Sequence, residues 1–163
     1  MRISTVLLAA LAAIGSPAAA QVSFSRDAIE ELQSISIRVD VQGPADEGRV
    51  GGRLAQIVRQ ELTRADILWE RGDPRGDDCC VLRVDVRLAM GAGRARFGVG
   101  YTMRLELGYP DRLGNVPAWT VIWAGRMTSN IVERNDLDTL LEAGVRELTG
   151  EFIDLYRERF PRR

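Results

Sequence analysis

Through most of the middle of this chain every second residue is apolar. Cys80, Leu82, Val84, Val86, Leu88 and Met90 alternate with Arg83, Asp85 and Arg87. Phe97, Val99, Tyr101, Met103, Leu105 and Leu107 then alternate with Gly98, Gly100, Thr102, Arg104, Glu106 and Gly108. A period of two places alternate side chains on opposite faces of a strand, so both segments have one dry face and one wet face. Such a sheet is stable only when a second layer covers its dry side. Gly91-Ala92-Gly93 reads as the turn between the two strands, and residues 109–115 as the turn into a third strand over residues 118–128. Together they predict an antiparallel meander.

Two stretches have the period needed to cover it. Val50, Leu54, Ile57, Val58, Leu62 and Ala65 recur at steps of three and four, which predicts an amphipathic helix over about residues 46–65. Leu137, Leu141, Val145, Leu148, Phe152 and Leu155 do the same after Asn135 and Asp136, either of which suits a helix N-cap. A further alternating strand, Ile35 to Val41, precedes the first helix, and an extended piece, Ile67 to Trp69, follows it. The expected fold is therefore α+β: a two-layer sandwich of a four- to five-stranded, mostly antiparallel sheet with two helices packed on one face. The expected element order is β-α-β-β-β-β-α, in a single domain over residues 35–163.

The first twenty residues follow another logic. Arg2 is followed by an apolar run, Val6 to Ile14, and by the small residues Pro17-Ala18-Ala19-Ala20. This is the layout of a secretory signal peptide, cut after Ala20, and it is too short to span a membrane. Residues 21–34 form a lead-in segment. Without a cysteine at the cut there is no lipid anchor, so the mature chain is expected to be soluble in the periplasm or outside the cell.

Composition closes off several chemistries. The chain has 22 basic and 23 acidic residues, a net charge of −1, and no His. Every basic residue is Arg. A nearly neutral chain has no long-range field for nucleic acid. Lacking His, it builds neither a Ser-His-Asp nor a Cys-His site, and lacking Lys it forms no Schiff base or P-loop. No cofactor and no metal site is expected. A two-carboxylate hydrolase is the enzyme class that composition leaves open.

Few residues stand out as candidates. Trp119, Val121 and Trp123 lie in a strand that is apolar on both faces. It is either central and covered on both sides, or it forms a groove for an apolar ligand or a partner strand with the bare backbone at Gly98 and Gly100. Cys79 and Cys80 are either small apolar fillers or a vicinal disulfide in an oxidising compartment. Arg-Gly-Asp occurs at 71–73 and 75–77, within a polar loop. Gly48, Gly51 and Gly52 weaken the first helix unless its start approaches the sheet closely. Arg83, Asp85, Arg87, Arg104 and Glu106 are expected to pair across strands on the wet face.

The pattern Val81 to Leu88, the segment Trp123-Ala124-Gly125 and the closing Glu151-Phe152-Ile153-Asp154-Leu155-Tyr156 resemble a group of uncharacterised secreted bacterial α/β proteins. More remotely the layout is similar to small α/β envelope domains: the amino-terminal domain of the Tol-system propeller protein and the lipopolysaccharide-assembly lipoprotein. The resemblance implies envelope assembly or transport work without catalysis, and the expected function is non-enzymatic binding, in envelope assembly or maintenance, with another envelope protein or a small apolar ligand as partner. The alternative is a carrier or sensor of a small apolar ligand, and the third reading is the carboxylate-based hydrolase.

Overall fold

The computed structural model describes residues 35–43, 47–70, 80–90, 98–113 and 116–160. The expected leader and lead-in segment, Cys79, the two Arg-Gly-Asp tripeptides, the expected turn at 91–93 and Pro161 lie outside the described residues.

The strands are β1 (Ile35–Gln42), β2 (Trp69–Glu70), β3 (Val81–Met90), β4 (Gly98–Leu113), β5 (Val116–Ala124) and β6 (Thr128–Glu133). The helices are α1 (Glu47–Arg64) and α2 (Leu137–Arg159). They form one mixed sheet in the order β2-β1-β3-β4-β5, with β6 also on β4. β1 runs parallel to both β2 and β3, and the remaining pairings are antiparallel.

Alternation decides what goes inside. Leu82, Val84 and Val86 on β3 have no exposure, and Met103, Leu105 and Leu107 on β4 have 1% each. Facing them are Leu54, Val58 and Leu62 of α1 and Leu141, Val145, Leu148 and Phe152 of α2, in the same buried cluster. Both helices therefore cover the same side of the sheet. Gly144 faces the Met103 methyl, which a Cβ there would push aside. Thr149, with no exposure, satisfies its hydroxyl by donating to the Val145 carbonyl at 2.7 Å.

The structure departs from the sequence reading in three places. First, the expected turn over residues 109–115 is mostly strand. β4 runs on to Leu113 and pairs with β5 from Val116. β3 ends opposite Gly108, so Pro110 lies where β5 is its one neighbour among the described strands, and its missing N–H costs no second ladder there. Second, the third meander strand stops at Ala124, and a sixth strand, β6, takes up the other half of the same edge of β4. Ser129, Asn130 and Glu133 break the apolar alternation there, which is why the pattern gives no strand after residue 128. The Gly125 N–H keeps the interrupted edge attached by donating to the Leu105 carbonyl at 2.8 Å. Third, Asp136 occupies the N-cap of α2 without a side-chain capping bond.

A bulge explains the doubly apolar strand. Leu107 faces Trp123 and Gly108 faces Val121, so Ile122 is the extra residue. The bulge turns both Ile122 and Trp123 towards the core and leaves Val121 and Trp119 on the outer face. Gly108 is required here: a Cβ would collide with the Thr120 carbonyl and sit 3.0 Å from the Trp119 ring. Gly52 has nothing within 4 Å of such a Cβ and lies inside a helix. Gly52→Ala should raise stability by roughly 0.5–1 kcal/mol, and Gly108→Ala should lower it by about 1–3 kcal/mol. Urea midpoints of the two variants check the pair.

Candidate binding surfaces

Two recesses open on the surface of the described residues. The recess between the helices, lined by Arg49, Val50, Arg53, Leu54, Asp138, Leu141 and Glu142, holds about 10 Å³. That is room for one water. A larger groove of about 500 Å³ runs along the outer side of β1, beside Arg38, Val39, Asp40, Val41, Gln42, Gly48 and Arg83. It is open and mostly polar.

Several carboxylates among the described residues face arginines. On the outer sheet face, Asp40 accepts from Arg38 at 3.0 Å and from Arg83 at 2.8 Å. Asp85 pairs with Arg87 at 3.3 Å and Glu106 with Arg104 at 3.2 Å. The expected cross-strand pairing on this face is thus partly replaced by pairing along strands and into β1. On the helical side, Glu61 takes Arg64 at 2.9 Å and Arg146 at 2.7 Å, and Asp138 takes Arg49 and Arg53. Arg126, at the break between β5 and β6, is clamped by Glu147 and Glu151 of α2. The Glu147 hydrogen bond, then the charge of Glu151, hold that guanidinium more firmly protonated than usual. Among the described residues no group of three or more Asp, Glu or Cys is placed to hold a metal ion.

The structure places the sequence candidates as follows. Trp119 lies on the outer face over Gly108, with the Arg83 guanidinium 5.6 Å from its ring, and its indole N–H finds no acceptor among the described residues. Val121 faces Gly108 on the same side. Trp123 points inward and packs on Phe152 at 5.5 Å, starting an aromatic ladder through Tyr156 and Phe160. Gly98 and Gly100 pair with Glu133 and Ile131 of β6. Trp119 faces Pro110, ten residues further along β4 than Gly100, a separation of roughly 33 Å at the usual rise of a strand. Trp119 and the two glycines thus belong to opposite ends of β4, and the strand that carries Trp119 is an edge, not a covered centre. Cys80 has 1% exposure, is disulfide-bonded, and accepts from the Ser36 N–H at the start of β3.

Sequence reasoning missed the residues that stand out most on the surface. Ile131 is 78% exposed on β6 and Met127 66% just before it, while Leu68, 73% exposed, stands just before β2 on the opposite margin. Ile131 sits on the outer face opposite Gly100, with Ala89 beyond it, so no neighbouring side chain covers it. Its signal was an apolar residue out of register among polar ones.

No known protein family and no curated protein matches this chain. Its fold is similar to that of several solved structures. A PelC variant from Paraburkholderia phytofirmans, a dodecamer, is 13% identical over 71% of this chain and 82% of that one, with a TM-score of 0.45. An uncharacterised protein is 12% identical over 74% and 90%, with a TM-score of 0.39. The rare lipoprotein B from Shewanella oneidensis is 10% identical over 76% and 94%, with a TM-score of 0.33.

The aromatic ladder makes a pH prediction. Burial raises the Tyr156 hydroxyl above its ordinary pKa of 10.0. The unfolded chain then ionises first, so this stability is complete below about pH 10 and declines as pH rises through the higher folded value. Chemical denaturation from pH 8 to 11 should show the decline, and Tyr156→Phe should reduce it.

Proposed function

We propose that this is a soluble, exported, non-enzymatic protein that works by binding another envelope protein along its β5–β6 edge. The observation that carries this reading is the contrast between a closed interior and an open sheet margin. Two large apolar side chains, Met127 and Ile131, stand exposed on that margin. An extended segment of a partner can extend the sheet there through main-chain hydrogen bonds, with Ile131 and the bare lane at Gly98 and Gly100 supplying apolar contact. The pairing of carboxylates with arginines supports a non-enzymatic role, since a hydrolase of this composition needs two carboxylates converging on one cleft. Neither the small interhelix recess nor the open polar groove encloses an apolar ligand, which sets the carrier reading second. The leader-like first twenty residues support export.

A photo-crosslinking amino acid placed at Ile131, in cells that make the protein, should give one discrete adduct with an envelope protein. The same probe at Gln60, exposed on α1, should not. With the probe moved to Met127, Ile131→Asp should weaken capture about tenfold, or about 1.4 kcal/mol. Absence of an Ile131 adduct, or identical adducts at Gln60, would contradict the reading.

A further inference from the structure

The opposite margin of the sheet carries a different message. β2 pairs only with Ile35 and Ser36. Beyond Ser36, no described strand lies on that side of β1, while the other side is paired with β3 through Gln42. The Ser36 N–H donates to Cys80 on the β3 side and the Ile35 N–H to Leu68 on the β2 side. Main-chain groups alternate sides along a strand, so those of Ile37, Val39 and Val41 point towards the open side. The 500 Å³ groove runs along this edge.

The residues on the edge are self-complementary. Reading outward from Val39, Arg38 lies on one side and Asp40 on the other, then Ile37 and Val41. In an antiparallel pairing of two copies about Val39, each Arg38 falls opposite an Asp40, each Ile37 opposite a Val41, and Val39 opposite itself. The three residues whose main-chain groups face outward are the ones that this register joins as hydrogen-bonded pairs. Opposite charges end up directly across from each other on the outer face, and β-branched apolar pairs on the inner face, both favourable cross-strand combinations. Arg38 is available for this: its side chain is 57% exposed, and the Asp40 it touches also serves Arg83.

A second observation points to the same place. Gly48 and Gly52 stand one turn apart on α1, and neither would meet any atom within 4 Å if it carried a Cβ. Gly51 has an internal reason to be small, since its Cβ would lie 3.7 Å from Val41. Gly48 lines the groove and leaves headroom beside the edge that no contact within the described chain uses. The five-residue overlap also stops where β2 begins, and Gly43, at φ 139°, turns the chain away just after Gln42.

We infer that β1 pairs with β1 of a second copy, antiparallel about Val39, joining two sheets into one across a twofold axis. This goes beyond the proposed β5–β6 partner site, which lies on the other margin and stays open in such a dimer.

The test uses the purified mature protein. Val39→Cys should close a symmetric intermolecular disulfide under mild oxidation, because about 5.5 Å between Cα atoms of a hydrogen-bonded pair falls within disulfide range. Ile131→Cys should not give a comparable yield. By sedimentation, Arg38→Asp and Asp40→Arg should each weaken self-association at least tenfold. Mixed in equal amounts they should recover it, since the carboxylates of one then face the guanidiniums of the other. Asp40→Arg also removes the partner of Arg83, so its fold is checked by circular dichroism; the Val39→Cys crosslink stands without it. A wild-type protein that stays monomeric to about 100 µM, or a dimer that neither crosslinks through Val39→Cys nor responds to Arg38→Asp, overturns the inference.

Discussion

Everything in this molecule depends on closing two helical stripes over one face of a twisted sheet. β3 is the strand on which the closure centres. Ser36–Gln42 of β1 flank it on one side and β4 runs along its full length on the other, and Leu82, Val84 and Val86 have no contact with water. At roughly 25 cal/mol per Å² of apolar surface removed from water, this burial is the dominant favourable contribution to the fold. The ion pairs between the helices, such as Arg53 with Asp138 and Glu142, are half exposed. Pairs of that kind contribute little and serve mainly to fix how the two stripes sit side by side.

Closure on one side dictates what remains. The other side of the sheet carries arginines paired with carboxylates, with Trp119 close over Gly108 and the Arg83 guanidinium near its ring. It is wet and internally paired, and it offers little that a partner does not have to displace. The two margins differ from it. One exposes apolar side chains at Met127 and Ile131, and the other exposes Leu68 and, further along β1, main chain beside a self-complementary charge pair. Among the described residues, the two margins of the sheet are where main chain and apolar side chains stand uncovered.

The elements with strong periodicity were legible from sequence. β3, the first part of β4 and both helices lie close to where alternation and three-four spacing place them, because in each the buried face is long and uninterrupted. What escaped was set by pairing, not by pattern. β6 is polar at Ser129, Asn130 and Glu133, and is a strand because β4 is long enough to template it. The continuation of β4 through Pro110 needs a two-stranded arm that lacks β3, a fact of topology that no local signal carries. Trp119 to Trp123 looked alike on both faces because a bulge at Ile122 sends consecutive residues inward. The edge of β1 was hidden for the opposite reason. Arg38-Val39-Asp40 is ordinary alternation until the sheet order shows that β2 covers only two residues of that margin. Gly98 and Gly100 were recognised as bare backbone, but the side chain they leave uncovered, Ile131, is 31 residues further on.

The most direct test of the account is native-state hydrogen exchange. If the helices and the sheet share one dry interior, the amides of Leu54 and Val58 on α1, Val145 and Leu148 on α2, and Val84 and Leu105 on the sheet should exchange through one common opening. Its free energy should equal that of global unfolding. Helix amides that exchange through a cheaper opening, while Val84 and Leu105 stay protected, would show that the two layers do not stand or fall together.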